Sequence, residues 1–341
     1  MEGRDKPGHD ADGARLNGQV ALMLAALSIS PMQLYGQLLI GLINGSLYAL
    51  LSLGQAVIFG MLNVVNFAHG AFYMVGAFAA YFLLTGIDIP DGLDWSAGGS
   101  LPALTTFHID LNVNYWAALV LAPLIVGLLG ALTERLFIRR IAGLDHLYGL
   151  LLTFGMALVI QGLFQNAFGS SGKPYPGPHE LDGVYNLGFM FLPKYRAWVI
   201  VCSFVVCMAT WFAIEKTRLG AYLRAATENP TLVRAFGVNV PLMITATYGF
   251  GVGLAAFAGV LAAPIYQVRP GMGADIIAVV FAVVVIGGMG SILGSILTGF
   301  ALGVIEGLTK VVYPEASNTV VFVIMAIVLL IRPSGLFGRP I

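Results

Sequence analysis

Hydrophobic and polar positions in this chain come in blocks rather than in alternation. Apolar runs of about 20 residues recur from one end to the other, each long enough to carry a helix through about 30 Å of hydrocarbon. Charged or Gly/Pro-rich breaks separate them, which predicts spans near 34–58, 66–85, 115–137, 147–168, 197–214, 243–266, 275–290, 292–309 and 319–332. That is about eight or nine crossings. The stretch 275–309 is too long for one helix, and Gly287-Gly288-Met289-Gly290-Ser291 in its middle predicts a tight turn or a re-entrant point. The expected fold class is an all-α polytopic membrane protein, with one transmembrane domain over 31–341. Residues 1–30 stand apart from it. The first 16 mix Arg4, Lys6 and Arg15 with Glu2, Asp5, Asp10 and Asp12, which predicts a disordered tail rather than a secretory signal. The apolar lead-in Val20 to Ile29 is too short to span alone and is followed by Pro31.

Composition agrees with the pattern. Of 341 residues, 58% are hydrophobic and 10% charged, against about 25% charged in an average soluble domain. The 43 glycines are spread through the apolar runs, which suits helices that pack closely or are locally broken. Zero formal net charge leaves no global basic field for nucleic acid. Cys202 and Cys207 share one apolar run without a disulfide or metal pattern and read as small core residues. No His-Glu-x-x-His, Ser/His pair or carboxylate dyad at catalytic spacing occurs, which argues against a membrane enzyme. Proton or sodium coupling would call for carboxylates near the midplane; their scarcity argues against an ion-coupled secondary transporter. Gly169-Ser-Ser-Gly-Lys173 is too short for a phosphate-binding loop and is followed by Pro174. Neither a catalytic residue, a metal nor a cofactor is expected in this chain, and ATP with its magnesium would belong to another.

Basic residues orient the spans, because Lys and Arg are retained on the cytoplasmic side. Arg135, Arg139 and Arg140 form one cluster, Lys216, Arg218, Arg224 and Arg234 a second, and Arg332 with Arg339 a third. All are expected inside. The connection 86–114 holds Asp88, Asp91, Asp94 and Asp110 without Lys or Arg and is expected outside. Residues 169–196 then also fall outside despite Lys173, Lys194 and Arg196. The position of the N-terminus stays open.

The loop from Glu215 to Pro241 is too long and too regular for a simple connector. It predicts two short helices. The first runs over roughly 219–227. The second has Asn229 as cap, Pro230 at its first position and Gly237 as the left-handed stop. Such a helix is marginal alone and must be held by packing. It is either a stiff rod on which a separate ATPase pushes, or an amphipathic loop with Leu232, Val233 and Phe236 dipping into headgroups.

Two early runs, Gly41-Leu-Ile-Asn-Gly-Ser-Leu-Tyr-Ala-Leu-Leu and Asn66-Phe-Ala-His-Gly-Ala-Phe-Tyr-Met-Val-Gly, resemble the first helices of the branched-chain amino acid ABC permeases of the LivH type. The resemblance continues through the Arg224-Ala-Ala to Gly237-Val-Asn-Val loop, through Val285-Ile-Gly-Gly-Met-Gly-Ser-Ile-Leu-Gly, and through Arg332-Pro-Ser-Gly-Leu-Phe-Gly-Arg-Pro, covering about 31–341. Urea permeases look similar over the same stretches, so urea or a short amide stands as the alternative solute. The resemblance implies a permease in a bacterial inner membrane that moves an amino acid. Its implied partners are a second, LivM-like permease subunit, two ATP-binding subunits and a periplasmic solute-binding protein. It also implies that Arg224, Ala225, Ala226, Glu228, Asn229, Arg234 and Gly237 couple to the ATPase, with Arg224 where importers generally carry Glu.

Polar groups inside spans are costly and face a cavity or a neighbour. Asn44, Gln55, Asn63, Asn66, His69, Gln161, Gln165, Asn166 and Glu306 are the candidates. Asn66 precedes an apolar helix, either as a cap facing the cytoplasm or as one side of a site receiving a substrate carboxylate. His69 is expected to bond a neighbour rather than switch protons, and Glu306 to pair with Lys310. Gln161, Gln165 and Asn166 either line an entrance or join helices. Gly45, Gly287, Gly288 and Gly290 permit close packing, and the break at Gly287 to Ser291 offers amides to a zwitterion.

Overall fold

A computed structural model describes residues 31–62, 65–90, 106–109, 111–141, 143–188 and 190–338. The predicted tail and lead-in, Asn63, Asp91, Asp94, Asp110 and Arg339 lie outside the described residues. Each predicted span is a helix: α1 (Pro31–Leu62), α2 (Ala68–Thr85), α3 (Tyr115–Thr133), α4 (His146–Phe168), α5 (Lys194–Lys216), then α8 (Val240–Tyr266), α9 (Met272–Gly287), α10 (Ile292–Val312) and α11 (Val320–Ile331). Between α5 and α8 lie two short helices, α6 (Arg218–Glu228) and α7 (Pro230–Ala235). Seven of these helices are long and apolar enough to cross a membrane, while α9 and α11 are apolar but shorter. The chain is therefore a multi-pass, all-α membrane protein.

One end of the bundle gathers Arg135, Arg139, Arg140, the α6–α7 loop and Arg332, and is called the basic end below. At the opposite end two small antiparallel hairpins cover the helices. Strands β1 (Ile87–Pro90) and β2 (Thr106–Ile109) join α2 to α3, and β3 (Val184–Asn186) with β4 (Phe191–Pro193) precedes α5. Lys173 pairs with Val268 across the same end, laying the long loop after α4 over the exit of α8.

The interior is built by α1, α2, α8 and α10, which hold most of the fully buried residues. Helices in lipid gain nothing from expelling water, so they associate by close van der Waals fit through small residues. The longest such seam joins α1 to α10. Gly41, Gly45 and Ala49 on α1 meet Gly299, Gly303 and Gly307 on α10, each row spaced by one helical turn. A Cβ on Gly303 would collide with the Gly45 backbone, and one on Gly76 of α2 would collide with Ala256 of α8. By contrast α4 turns Leu147, Leu151, Val159 and Leu163 outward, as lipid or a partner helix requires.

Gly288 (φ +96°) and Gly290 (φ +83°) make the turn between α9 and α10, as the Gly-rich motif predicts. Their amides do not form an open site. Leu336 N donates to Ile286 O at 2.8 Å and Phe337 N to Gly287 O at 3.2 Å, and Gly335 lies against Gly288. The chain's own C-terminal segment fills the corner, so Gly287 and Gly288 close it rather than line a pathway. Glu306 is buried and accepts from Lys310 Nζ at 2.6 Å, as expected, and also from Tyr48 Oη at 2.8 Å. Cys202 and Cys207 are buried free thiols.

Candidate functional site

Two places in the bundle carry chemistry beyond packing. The first is the loop at the basic end. Asn229 Oδ1 accepts from Leu232 N at 3.0 Å, Pro230 opens α7, and Gly237 at φ +82° ends it. The rod is short, and a helix of that length does not hold itself together in water. It is held by a cluster of its own, in which Ala226 of α6, Val233 of α7 and Val240 of α8 pack with Val238, Met243 and Ile244. With Val233 turned inward, Leu232 (54% exposed) and Phe236 (79% exposed) stand on the outer face. Ala225 and Arg234 are exposed beside them. Arg224 behaves differently from the rest of the predicted coupling set. It turns back to Ile214 O at 3.1 Å and Glu215 Oε2 at 3.3 Å, tying α6 to the end of α5.

The start of α8 is fastened in turn to α3. After Thr133 the helix widens into a single π turn, Glu134–Ile138, in which Arg139 N bonds Glu134 O. That extra residue per turn brings side chains five apart onto one face. Arg139 Nε and Nη2 donate to the two Glu134 oxygens at 3.2 and 3.1 Å, and Arg139 Nη2 also donates to Pro241 O at 2.8 Å. Thr245 Oγ1 completes the set with a 2.6 Å bond to Glu134 Oε2. α7 is thus packed onto α8 through this apolar cluster, and α8 is tied to α3 through a part-buried ion pair.

The second place is the break between α1 and α2. Phe67 N donates to Thr153 Oγ1 at 3.2 Å, and Thr153 lies about seven residues, roughly 11 Å, into α4 from the basic end. The start of α2 is thus well inside the bundle, and the backbone before it is non-helical. Irregular backbone at such depth survives only where protein satisfies its polar groups. Here Gln55 does so: in the orientation that matches donors to acceptors, its amide donates to Asn66 O at 3.2 Å and accepts from Asn66 N at 2.8 Å.

The structure excludes the cap reading of Asn66. The cap position of α2 is Phe67, without a side-chain cap bond, and the Asn66 side chain is drawn away to donate to Tyr248 Oη at 2.9 Å. Asn66 is 1% exposed, so it faces neither the cytoplasm nor solvent. Its Oδ1 has no partner among the described residues. His69 bonds a neighbour, as expected: its Nε2 lies 2.9 Å from Leu51 O. Because a carbonyl only accepts, Nε2 carries the proton, and Nδ1 is left without a partner among the described residues.

Beside this node lies a cavity of about 170 Å³ between α2, α4 and the start of α9. Phe67, Ala71 and Met74 form its floor, Phe154, Ala157, Leu158 and Gln161 one wall, and Pro270, Gly273, Ala274 and Ile277 the other. Small side chains at Ala71, Ala157, Gly273 and Ala274 leave the space. Among the sequence candidates Gln161 lines it, while the side chains of Asn66 and His69 are turned to Tyr248 Oη and Leu51 O. Asn44 does not: its Oδ1 accepts from Tyr266 Oη at 2.6 Å and joins α1 to α8. Gln165 and Asn166 are exposed and do not line the cavity. Thr153 and Tyr248, which complete the node, are ordinary span residues in sequence, and only their contacts single them out.

Comparison with known proteins agrees with this architecture. The family model described as branched-chain amino acid transport system / permease component matches residues 37–331. The chain is 31% identical over 315 residues to the high-affinity branched-chain amino acid transport system permease protein BraD of Pseudomonas aeruginosa, covering 89% of this chain and 95% of that protein. It is 28% identical over 309 residues to the corresponding permease protein LivH of Escherichia coli K12, again covering 89% and 95%. The ribose import permease protein RbsC of Escherichia coli K12 is more distant, at 23% over 235 residues, or 64% of this chain and 70% of that protein. No solved structure matches the chain. Since the match takes in the broken second span, the loop at the basic end and the glycine-rich turn alike, the chain belongs to the family of branched-chain amino acid transport permease components.

Proposed function

We propose that this chain is one of two permease subunits of an ABC importer for branched-chain amino acids in a bacterial inner membrane. Its basic end faces the cytoplasm, where Lys and Arg are retained. ATP is hydrolysed on two separate ATP-binding subunits, and a periplasmic solute-binding protein delivers leucine, isoleucine or valine at the opposite end. The observation that carries this reading is α7. It is a capped rod with two exposed apolar side chains, Leu232 and Phe236, and a packed connection back into α8 and α3. A loop that merely dipped into lipid would not need to be fastened to two spanning helices. The paired state of Glu306 speaks against a proton or sodium relay, since its Lys310 and Tyr48 partners occupy both oxygens. The names of BraD and LivH favour branched-chain amino acids over urea as the solute.

The test is Phe236→Asp, which adds charge to an exposed position and leaves the Val233 cluster intact. Co-purification of the ATP-binding subunits with this chain is expected to be lost while membrane insertion persists. Retained co-purification and unchanged ATP-driven leucine uptake would reject α7 as the contact. Gly237→Val is a second probe, since a β-branched residue resists the left-handed conformation. It is expected to lower uptake with insertion unchanged.

A further inference from the structure

We infer that Arg269 and Asp275 form a binding site for the charged head of the transported amino acid, Arg269 holding its carboxylate and Asp275 its ammonium. This rests on the transport reading above and adds to it the place in this chain where the solute is held. Arg269 lies in the turn between α8 and α9 and Asp275 in the first turn of α9, and Arg269 Nη2 donates to Asp275 Oδ2 at 2.6 Å.

The depth of this pair sets it apart. After α8 the chain turns back into the bundle, so that a Cβ on Gly70 of α2 would collide with Gly273 O of α9. Gly70 is three residues beyond Phe67, which is level with Thr153 of α4, and this puts the contact roughly 15 Å in from the basic end. A helix of 23 residues such as α4 is about 35 Å long, so α9 begins near the middle of the bilayer. Even so, the side chains of Arg269 and Asp275 are 50% and 56% exposed. Charges at that depth are costly in lipid and are found facing water or a cavity between helices. The face that carries them borders an aqueous path, closed on its far side by the second permease.

The pair is not needed to shape the turn. Lys173 and Val268 exchange backbone bonds at 2.8 and 2.9 Å, Met272 N donates to Arg269 O at 3.2 Å, and Asp275 N donates to Gly271 O at 3.1 Å. An exposed ion pair adds little to stability beyond such a framework. Tyr73 of α2 lies within electrostatic reach of Arg269, Asp275 and Tyr266, which gathers groups from α2, α8 and α9 around one place. Tyr266 is exposed, with its hydroxyl donated to Asn44 Oδ1.

Charge decides the class of solute. A guanidinium fork matches a carboxylate, and a carboxylate accepts from an ammonium. A zwitterion entering between Arg269 and Asp275 replaces one ion pair by two. When it leaves, the pair closes again, so neither charge is left uncompensated at mid-depth. A site satisfied both empty and loaded releases its solute readily, as passage requires. An uncharged solute such as urea or a sugar would engage neither charge.

The experiment uses the complete transporter in proteoliposomes: this chain, the second permease, the ATP-binding subunits and the binding protein. Leucine uptake, and ATP hydrolysis stimulated by the loaded binding protein, are measured for wild type, Arg269→Gln, Asp275→Asn and the double variant. Each single variant leaves one charge uncompensated, whereas the double variant is neutral and close in shape to the original pair. If the pair only joined α9 to the turn before it, the double variant would recover the uptake lost in either single one. For a solute site, the double variant is expected to hydrolyse ATP while leucine uptake stays down at least about tenfold, the scale of one lost bond to a charged group. Wild-type uptake in the double variant would overturn the site while leaving the transport reading intact. Wild-type complex that accumulates no branched-chain amino acid would instead overturn the transport reading itself. Where the charge variants do not assemble or do not hydrolyse ATP, Ala278→Cys decides, an exposed position one turn further along α9 that leaves the pair intact. It is expected to react with a charged methanethiosulfonate in the assembled complex, because the reactive thiolate needs water around it. A cysteine that stays inert there would overturn the site.

Discussion

Single residues show where this bundle tolerates polarity. Glu134 is 1% exposed and would be costly in the interior without Arg139, whose guanidinium spans both carboxylate oxygens and reaches Pro241 O. Arg139 itself is about a third exposed, so solvent weakens the pair from its side. Arg139→Ala leaves the carboxylate buried with only Thr245, and is expected to cost about 2 kcal/mol, the scale of a lost bond to a charged group. The thermal unfolding midpoint in detergent should drop by roughly 3 °C. Adding Glu134→Gln should restore part of that loss, because a neutral amide still bonds Thr245 Oγ1. No recovery in the double variant would mean that the pair matters for packing rather than for charge. The basic cluster reads as a topology signal in sequence. Its second role, bolting α3 to α8, depends on a π turn that residue order does not announce.

At the scale of elements, glycine spacing is what lets α1 and α10 meet. Each row of small residues clears a groove one turn at a time, and the backbones approach until carbonyls of one helix lie against Cα atoms of the other. Gly303→Ala places a methyl group inside the Gly45 backbone. Overpacking of this kind costs about 1–3 kcal/mol, and the variant is expected to unfold at lower temperature and to yield less folded protein. Gly162→Ala on α4 is the control, since a Cβ there meets nothing within 4 Å and alanine is the better helix former. Equal effects at the two positions would remove the seam as an explanation. The predicted spans agree with the helices to within a few residues because an apolar run of fixed length is read directly from composition. The same reading left Asn66 either as a cap or as one side of a site, and the cap fails for a local reason: Tyr248, far away in sequence, takes its side chain instead.

For the whole molecule, sidedness is the quantity that ties loop, cavity and partners together. Thr231 on α7 and Glu180 on the long loop after α4 are both exposed and lie at opposite ends of the bundle. Thr231→Cys is expected to react with a membrane-impermeant maleimide only when the cytoplasmic side is opened, and Glu180→Cys from outside in intact cells. Cys202 and Cys207 are buried and contribute little background. Labelling of both positions from the same side would contradict the bundle. The sequence alone determined that the chain spans a bilayer many times, roughly where each span lies, and that a capped rod sits at the basic end. These follow from properties that act over a few neighbouring residues: hydropathy, capping and the conformational limits of Pro and Gly. Only the tertiary structure decided that the Gly287–Gly288 corner is closed by the C-terminal segment, that Asn66 bonds Tyr248 and His69 bonds Leu51 O, and that a cavity lined by Gln161 lies between α2, α4 and α9. Those outcomes depend on how helices distant in the chain are brought together, and apolar runs of similar hydropathy do not specify their neighbours until small residues, broken backbone and polar atoms have all been fitted at once.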